Sequence, residues 1–269
     1  MLEIGNNMTI RNARLVIRVG QNSLAFAYTK SDGKTIEFVP YKAKAGVSMA
    51  ANLREAIKDE TLALGDWKNV LVLIDSPVVM IPVDEYVEQE KEVLYNYTIT
   101  GQENATVLAT ILPGVNAVAL YALNKDLKLV LTDNFKDIKI HPVCGSLWQY
   151  LQRRSTLGTT EKLYCYFHDT KIDVCSFRKN RFRFVNSFAA THVNDIAYFV
   201  LAAWQQLGLN AKKDEIYLLG DYGEYDKLLE QMHKYVDNVF RIKPAADFNR
   251  NPLTQISGVP FDLITTLLK

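Results

Sequence analysis

The sequence predicts an α/β fold in which a β-β-β-α-β-α-β unit occurs twice. Three strand-like runs, an amphipathic helix and a further apolar strand follow one another in each half of the chain. The segments that begin at Leu15 and Leu163 also align without a gap, and their apolar and turn positions stay in phase through the first hairpin. Alternating apolar residues broken by short polar stretches are typical of hairpins, because successive strand side chains face opposite sides of a sheet. An internal duplication explains this pattern better than a chance likeness between two unrelated halves.

The first half begins with a predicted three-stranded meander followed by a helix and a buried strand. The strand-like runs are residues 14–20, 23–29 and 35–41. Ser48 is a suitable helix cap, apolar residues recur on one helical face from Leu53 to Leu64, and Gly65 suits the helix end. Residues 69–74 are apolar without alternation, which indicates a strand covered on both faces.

Residues 77–112 depart from the repeat and are predicted to be an insertion. A helix is predicted at 84–95 and strands at 97–100 and 106–112. The rest of the first half is predicted as a strand, a helix, a strand and a helix at 115–123, 125–134, 137–142 and 145–153. The predicted domains are therefore 1–153 and 161–269, joined by a linker.

The second half shows the same order of elements without an insertion. The predicted strands and helices are, in chain order, 162–168, 171–178, 181–187, the helix 191–207, 215–220, the helix 225–236 and 239–242. Thr191 is a plausible cap of the long helix, and Gly208 ends it. The apolar segment that follows Gly258 is expected to return to the first half.

Three meandering strands and an α-β-α-β tail, used twice, make the order of the actin-like ATPase fold. The chain resembles that ribonuclease H-like fold, shared by actin, sugar kinases and chaperone ATPases, over nearly its whole length. The resemblance implies two halves that face a central cleft. More narrowly, residues 183–188 leading into 194–201 resemble a bacterial family of uncharacterised proteins assigned this fold. That family implies no activity.

The resemblance also implies where a nucleotide would bind. In active members, the turn between the first two strands of each half has an acidic residue and a glycine that hold phosphates and the water shell of Mg²⁺. Glycine permits close backbone approach to an anion, and a carboxylate is a hard ligand for Mg²⁺. The two turns of this chain read Gly20-Gln21-Asn22-Ser23 and His168-Asp169-Thr170-Lys171. The first lacks a carboxylate and the second lacks a glycine.

Asp169 is the best candidate for a carboxylate associated with Mg²⁺, and Thr170 or Lys171 could approach a phosphate from the same turn. The alternative is an ordinary hairpin turn, because Asp and Thr side chains satisfy nearby backbone donors. That alternative is favoured.

The family's contact with the nucleotide base follows a strand of the second half that ends in two glycines. Here the matching place holds Gly220, Asp221 and Gly223, so one glycine is in place and the second is displaced. The alternative, again favoured, is a turn into a helix whose acidic first residues suit the helix dipole.

Composition limits the classes of partner. The formal charge is +1 and the hydrophobic content is 48%, so the chain can build sizeable cores but has no overall field that would recruit nucleic acid or an anionic membrane. The apolar run 70–83 is too short and too interrupted to span a bilayer, and the early acidic residue argues against a secretory signal. Three cysteines without a paired spacing suggest reduced, buried thiols. We therefore expect a cytoplasmic protein without a membrane partner.

One basic hairpin, residues 177–184, interleaves arginines and a lysine with three phenylalanines. Such a hairpin can clamp a phosphate backbone and stack a base. More often it directs its charges to solvent and its aromatic rings to the core, and that reading is favoured. The four histidines show no metal spacing and are expected to be structural.

Three hypotheses of function follow. The leading one is an interaction scaffold with degenerate phosphate turns, which binds an unidentified protein partner, binds nucleotide weakly or not at all, and has no assigned catalytic residue. The second is an enzyme or switch dependent on ATP and Mg²⁺, an ATPase or phosphotransferase. The third is a nucleic-acid-binding protein that uses the basic hairpin 177–184.

Overall fold

The chain folds as two units in a computed structural model that describes residues 3–4, 15–29, 35–58, 67, 69–178, 181–189 and 191–268. The first unit comprises Met1–Pro113 and Ala117–Gly145, and the second comprises Gly114–Asn116 and Ser146–Leu268. The predicted boundaries at 153 and 161 stay a prediction. Within the described ranges, no helix is both long and apolar enough to cross a bilayer.

The first unit contains two sheets. Its strands are β1 (Glu3–Ile4), β2 (Leu15–Val19), β3 (Ser23–Thr29), β4 (Ile36–Lys42), β5 (Val70–Ile74), β6 (Val78–Pro82), β7 (Ala105–Leu112), β8 (Ala117–Asn124) and β9 (Ile138–Pro142). Its helices are α1 (Met49–Ala56), α2 (Lys91–Thr98) and α3 (Lys125–Asn134), and α4 (Cys144–Ser155) starts at its end. One sheet has the order β4-β3-β2-β5-β9, and the other has the order β1-β7-β8-β6.

The second unit repeats the first sheet. Its elements are β10 (Lys162–His168), β11 (Lys171–Arg178), β12 (Arg181–Ala189), α5 (Val193–Gln206), β13 (Glu215–Gly220), α6 (Tyr225–Met232), β14 (Asn238–Arg241), α7 (Pro244–Asp247) and α8 (Phe261–Leu267). The sheet has the order β12-β11-β10-β13-β14, which matches β4-β3-β2-β5-β9 strand for strand.

The register of the two hairpins also agrees with the alignment of the sequence. Val19 pairs with Leu24 in the first hairpin, and Phe167 pairs with Ile172 at the corresponding place in the second. The same parallel strand follows in both units, with Val19 beside Ile74 and Phe167 beside Gly220. The duplicated α/β architecture predicted from the sequence is confirmed.

The core of the first unit lies between its five-stranded sheet and helices α1 and α3. Ile17 and Val72 are fully buried there against Leu53 of α1 and Leu131 of α3. All five residues of β5 are buried, as expected for a strand covered on both faces. Helix α1 ends at Ala56 and does not continue to the predicted end at Gly65. Leu64 and Gly65 lie outside the described residues, as do Lys179 and Asn180 of the basic hairpin.

The Ser48 cap supports helix α1 and allows a modest test of the first unit. The Ser48 hydroxyl accepts a hydrogen bond from the Ala51 amide at 3.2 Å, as predicted. Ser48→Ala is expected to lower the free energy of unfolding by about 1 kcal/mol, because that amide loses its acceptor. Urea unfolding measures the change. Ser48→Asp keeps an acceptor and should leave stability within about 0.5 kcal/mol, so an equal loss in both variants would contradict the capping role.

The insertion contributes β6, β7 and helix α2, and its two strands join β1 and β8 in the four-stranded sheet. Two predictions were wrong here. The helix begins at Lys91 after two short 3₁₀ turns rather than at residue 84, and it continues to Thr98 where a strand was predicted. The reason is tertiary: Tyr95 is fully buried against Val118 and Leu120 of β8, which holds the helix across the sheet.

The sheet of the second unit has two chemically different faces. Cys165 and Val174 lie on the apolar face, where they pack with Val200 of α5 and Leu228 of α6. Tyr164, Tyr166, His168 and Asp173 alternate with them and therefore lie on the opposite face. Helix α4 reaches this second face through Ser155, whose hydroxyl donates to that of Tyr164 at 3.1 Å.

Two further expectations for the second unit were wrong. The residue before α5 is His192, which makes no side-chain cap hydrogen bond, so Thr191 does not cap this helix. The segment after Gly258 forms α8 and belongs to the second unit rather than to the first. It is held there by Asp262, a fully buried residue whose carboxylate accepts a hydrogen bond from the Tyr166 hydroxyl at 2.6 Å.

Candidate functional site

The turn of the second unit for which a phosphate contact was predicted is the two-residue loop that joins β10 to β11. His168 and Lys171 form the last strand pair, so Asp169 and Thr170 make the loop. Asp169 has a φ of 50°, in the left-handed region that Asp tolerates better than most residues. Its carboxylate lies 3.6 Å from Nδ1 of His168. Asp169 thus has a backbone role and a charge partner within its own turn.

His168 belongs to a buried polar chain on the second face of the sheet. Its Nε2 lies 2.9 Å from a carboxylate oxygen of Asp173, and the other oxygen of Asp173 accepts a hydrogen bond from the Ser187 hydroxyl at 2.5 Å. The His168 ring stacks on Tyr166 with the ring centres 4.5 Å apart. These contacts tie β10, β11 and β12 together directly beneath the turn.

Asp173 is the charged centre of this chain and was not singled out from the sequence. Burial by itself would raise the pKa of Asp173, but the attraction of His168 and its hydrogen bond, with Lys171 and Ser187, outweigh burial and lower the pKa. The signal in the sequence was an aspartate within the apolar run of β11. Its partner could not be inferred without the register that sets Asp173 opposite Tyr166.

The structure brings the glycine loop beside this turn. Strands β10 and β13 are parallel neighbours, and the Asp221 amide donates a hydrogen bond to the Phe167 carbonyl at 3.1 Å. Asp169, Thr170 and Lys171 and the loop that starts at Gly220 therefore lie at one edge of the second sheet.

Gly220 is required by the packing of the chain itself. Its φ is 101°, and a Cβ atom there would lie 2.0 Å from the Phe167 carbonyl oxygen. A side chain is excluded because the two strands approach too closely. Gly223 differs, because a Cβ atom there would meet nothing within 4 Å. The place beside Gly223 is open to a ligand.

Aromatic packing covers the base of the loop. Tyr222 stacks on the Phe167 ring with centres 4.9 Å apart, and the Tyr225 hydroxyl donates to the Gly220 carbonyl at 3.0 Å. Arg241 lies 3.8 Å above the Tyr225 ring in a cation–π contact.

The corresponding turn of the first unit has a similar backbone arrangement but no acidic residue. The Gly20 amide donates to the Ser23 carbonyl at 2.8 Å, which leaves Gln21 and Asn22 as the exposed loop. Gln21 occupies the position that corresponds to Asp169. The Asp75 amide donates to the Val19 carbonyl at 2.9 Å, as Asp221 does to Phe167 in the second unit.

Groups of the chain itself contact the turn and loop of the second unit. The carboxylate of Asp169 lies beside His168. The Phe167 carbonyl occupies the space that a Cβ atom at position 220 would need, and the Tyr222 ring stacks on Phe167 at the end of β10. The assignment of Asp169 to Mg²⁺ stays a prediction.

The basic hairpin uses part of its charge within the chain. Arg178 lies 3.2 Å and Arg183 lies 3.5 Å from the carboxylate of Glu161. Phe177 is buried, and Phe184 packs against the apolar core of the second unit. This arrangement agrees with the alternative in which the hairpin directs its charges to solvent and its aromatic rings to the core. It weakens the case for a nucleic-acid-binding surface.

Known structures share this architecture over nearly the whole chain. A Bacteroides thetaiotaomicron VPI-5482 protein with an actin-like ATPase fold and unknown function is similar with a TM-score of 0.82 and 22% identity, over 95% of this chain and 100% of that one. PilM, in the PilM-PilN type IV pilus biogenesis complex, is similar with a TM-score of 0.59 and 13% identity, over 96% and 98% of the two chains. The chain therefore has the actin-like ATPase fold. It matches none of the curated proteins.

The match to a family covers most of the sequence and agrees with the fold. Residues 5–239 match the model of the DUF3822 family, described as proteins of unknown function. That range includes the phosphate turns of both units and the glycine loop. The chain belongs to the DUF3822 family.

Proposed function

We propose that this protein is an actin-like scaffold that binds a protein partner without needing nucleotide. The observation that supports the proposal is that the turn and loop of the second unit are engaged by the chain's own groups, namely His168, Phe167 and Tyr222. PilM, a protein of similar fold, is found in a complex with PilN, which supports a protein partner. The three cysteines are buried and free, so we place the scaffold in the reducing cytoplasm.

Thermal unfolding with and without Mg²⁺-ATP tests this proposal. A ligand at about 100 times its Kd stabilises a native protein by about 2.7 kcal/mol, roughly 5–10 °C for a chain of this size. We expect no shift and no release of phosphate above a protein-free control. The variant for comparison is Asp169→Asn, because Asn also tolerates the left-handed region, whereas alanine there costs roughly 1–2 kcal/mol by itself.

A shift that requires Mg²⁺ and disappears in Asp169→Asn would overturn the proposal. It would favour an ATP-dependent switch or enzyme instead. The observation that favours this second function is the open space at Gly223, because a phosphate or ribose could approach the backbone there. Gly223→Val would fill that space, and it should then abolish the shift.

A further inference from the structure

Helix α2 of the insertion carries an apolar face that the fold leaves in solvent. The exposed fractions are 91% for Tyr97, 71% for Val93 and 37% for Leu94. Val93 and Tyr97 are one helical turn apart and therefore neighbours. Tyr95, on the opposite side, is fully buried, and its hydroxyl donates to the Pro77 carbonyl at 2.9 Å. The buried side anchors the helix and presents the other side outward.

The stability of the insertion does not explain these side chains. Valine and tyrosine are weaker helix formers than alanine, and they gain no burial when they face solvent. Single exposed apolar residues are ordinary, but a clustered apolar face is a mark of an interaction surface. Val87, 43% exposed, precedes the same helix. We call Val87, Val93, Leu94 and Tyr97 the α2 patch.

The surroundings of the α2 patch are strongly acidic. Residues 83–104 contain six acidic residues and one basic residue, although the whole chain has a net charge of only +1. The one basic residue, Lys91, forms an ion pair with Glu88 at 2.6 Å. Glu90 and Glu92 are exposed on the helix, and Asp84 and Glu85 are exposed just before it. The patch thus combines an apolar centre with an anionic rim.

We propose that the α2 patch docks a basic amphipathic helix of a partner protein. Apolar side chains of the partner, spaced by three and four residues, would pack on Val93, Leu94 and Tyr97, and its Lys or Arg side chains would face Glu90 and Glu92. A helix suits this surface because the exposed apolar residues form a single helical stripe. The inference rests on the proposed scaffold function and assigns its partner surface.

Fluorescence anisotropy with labelled synthetic peptides tests the patch on the full chain. The probe is a leucine–lysine amphipathic helix of about 18 residues, roughly five turns. One control peptide has the same composition in scrambled order, and another has glutamate in place of lysine. We expect only the ordered basic peptide to bind, with affinity that falls as salt is raised, because the rim charges are exposed to solvent.

Variants then locate the binding. Val93→Ser together with Tyr97→Ser should weaken binding of the basic peptide at least about tenfold. Glu90→Lys together with Glu92→Lys should weaken its binding most at low salt, because the new lysines repel the lysines of the peptide and salt screens that repulsion. The matched control is Tyr198→Ser, which removes another tyrosine, 69% exposed, from helix α5 of the second unit. All these residues are exposed, so their substitution should leave the thermal unfolding midpoint nearly unchanged.

The proposal is overturned if the basic peptide does not bind, or if it binds the serine double variant as tightly as the native chain. Each titration is repeated with Mg²⁺-ATP. Binding that appears only with Mg²⁺-ATP would overturn the nucleotide-independent scaffold while keeping the patch. If the peptide binds in neither condition and Mg²⁺-ATP causes no thermal shift, the docking role of the α2 patch is contradicted and the scaffold proposal stands.

Discussion

Gly220→Ala is expected to destabilise the second unit by about 3–5 kcal/mol. The new Cβ atom would lie 2.0 Å from the Phe167 carbonyl oxygen, and the φ of 101° is a conformation that alanine avoids. The overlap is with backbone rather than with a flexible side chain, so β10 and β13 must separate. Urea unfolding followed by tryptophan fluorescence measures the loss, because Trp148 and Trp204 are both buried in this unit.

Gly223→Ala is the matched control for this prediction. It lies three residues further along the same loop and has open space around the added Cβ atom. Its effect on the free energy of unfolding should stay within about 0.5 kcal/mol. Equal effects of the two alanines would show that close packing on Phe167 is not the reason for Gly220. An unchanged stability of Gly220→Ala would show the same.

Asp173→Ala is the second large effect that we expect, with a loss of about 3–5 kcal/mol. Asp173 is 4% exposed and holds both His168 and Ser187, so its removal leaves the buried His168 ring and the Ser187 hydroxyl without their shared partner. The control is Asp237→Ala, an exposed aspartate of the same unit, which should change stability by no more than about 0.5 kcal/mol. A loss of that small size for Asp173→Ala would contradict the role given to the buried chain.

The lowered pKa of Asp173 adds a pH dependence with a definite sign. A carboxyl whose pKa is lower in the folded state stabilises the protein above its unfolded pKa, here 3.8, and this stabilisation is lost as pH falls through the lower folded value. Urea midpoints measured from pH 6 downward should therefore fall more steeply for the native chain than for Asp173→Ala. Parallel curves would contradict the pKa shift.

The elements of regular structure could be predicted because their signals are local. The bounds of β10, β11, β13 and α3 match the periodicity and turn residues that lie within them. The insertion is the counterexample. Tyr95 is buried by strands that are not adjacent to it in sequence, and helix α2 therefore covers residues 97 and 98, for which local propensity favoured a strand.

The turn and glycine positions could be singled out from the sequence, but the contacts that their groups make could not be predicted. Turn positions and glycines are visible in one dimension, so Asp169 and Gly220 were both singled out. Whether their groups are available depends on neighbours across the sheet: His168 beside Asp169, Phe167 beside Gly220, and Tyr222 over the strand end. Those neighbours are set by strand register and packing, which no local pattern contains.

The sequence by itself determined the duplicated order of strands and helices, the in-phase hairpins and the near-neutral charge, because each of these follows from short-range periodicity or from composition. Tertiary structure alone decided that Gly220 serves strand packing, that Asp173 is the buried centre of a polar chain, that Asp262 fastens the C-terminal helix to Tyr166, and that Val93 and Tyr97 face solvent. The physical reason is the same in each case. Burial, steric overlap and charge pairing depend on groups that are distant in sequence and meet only when the sheets form.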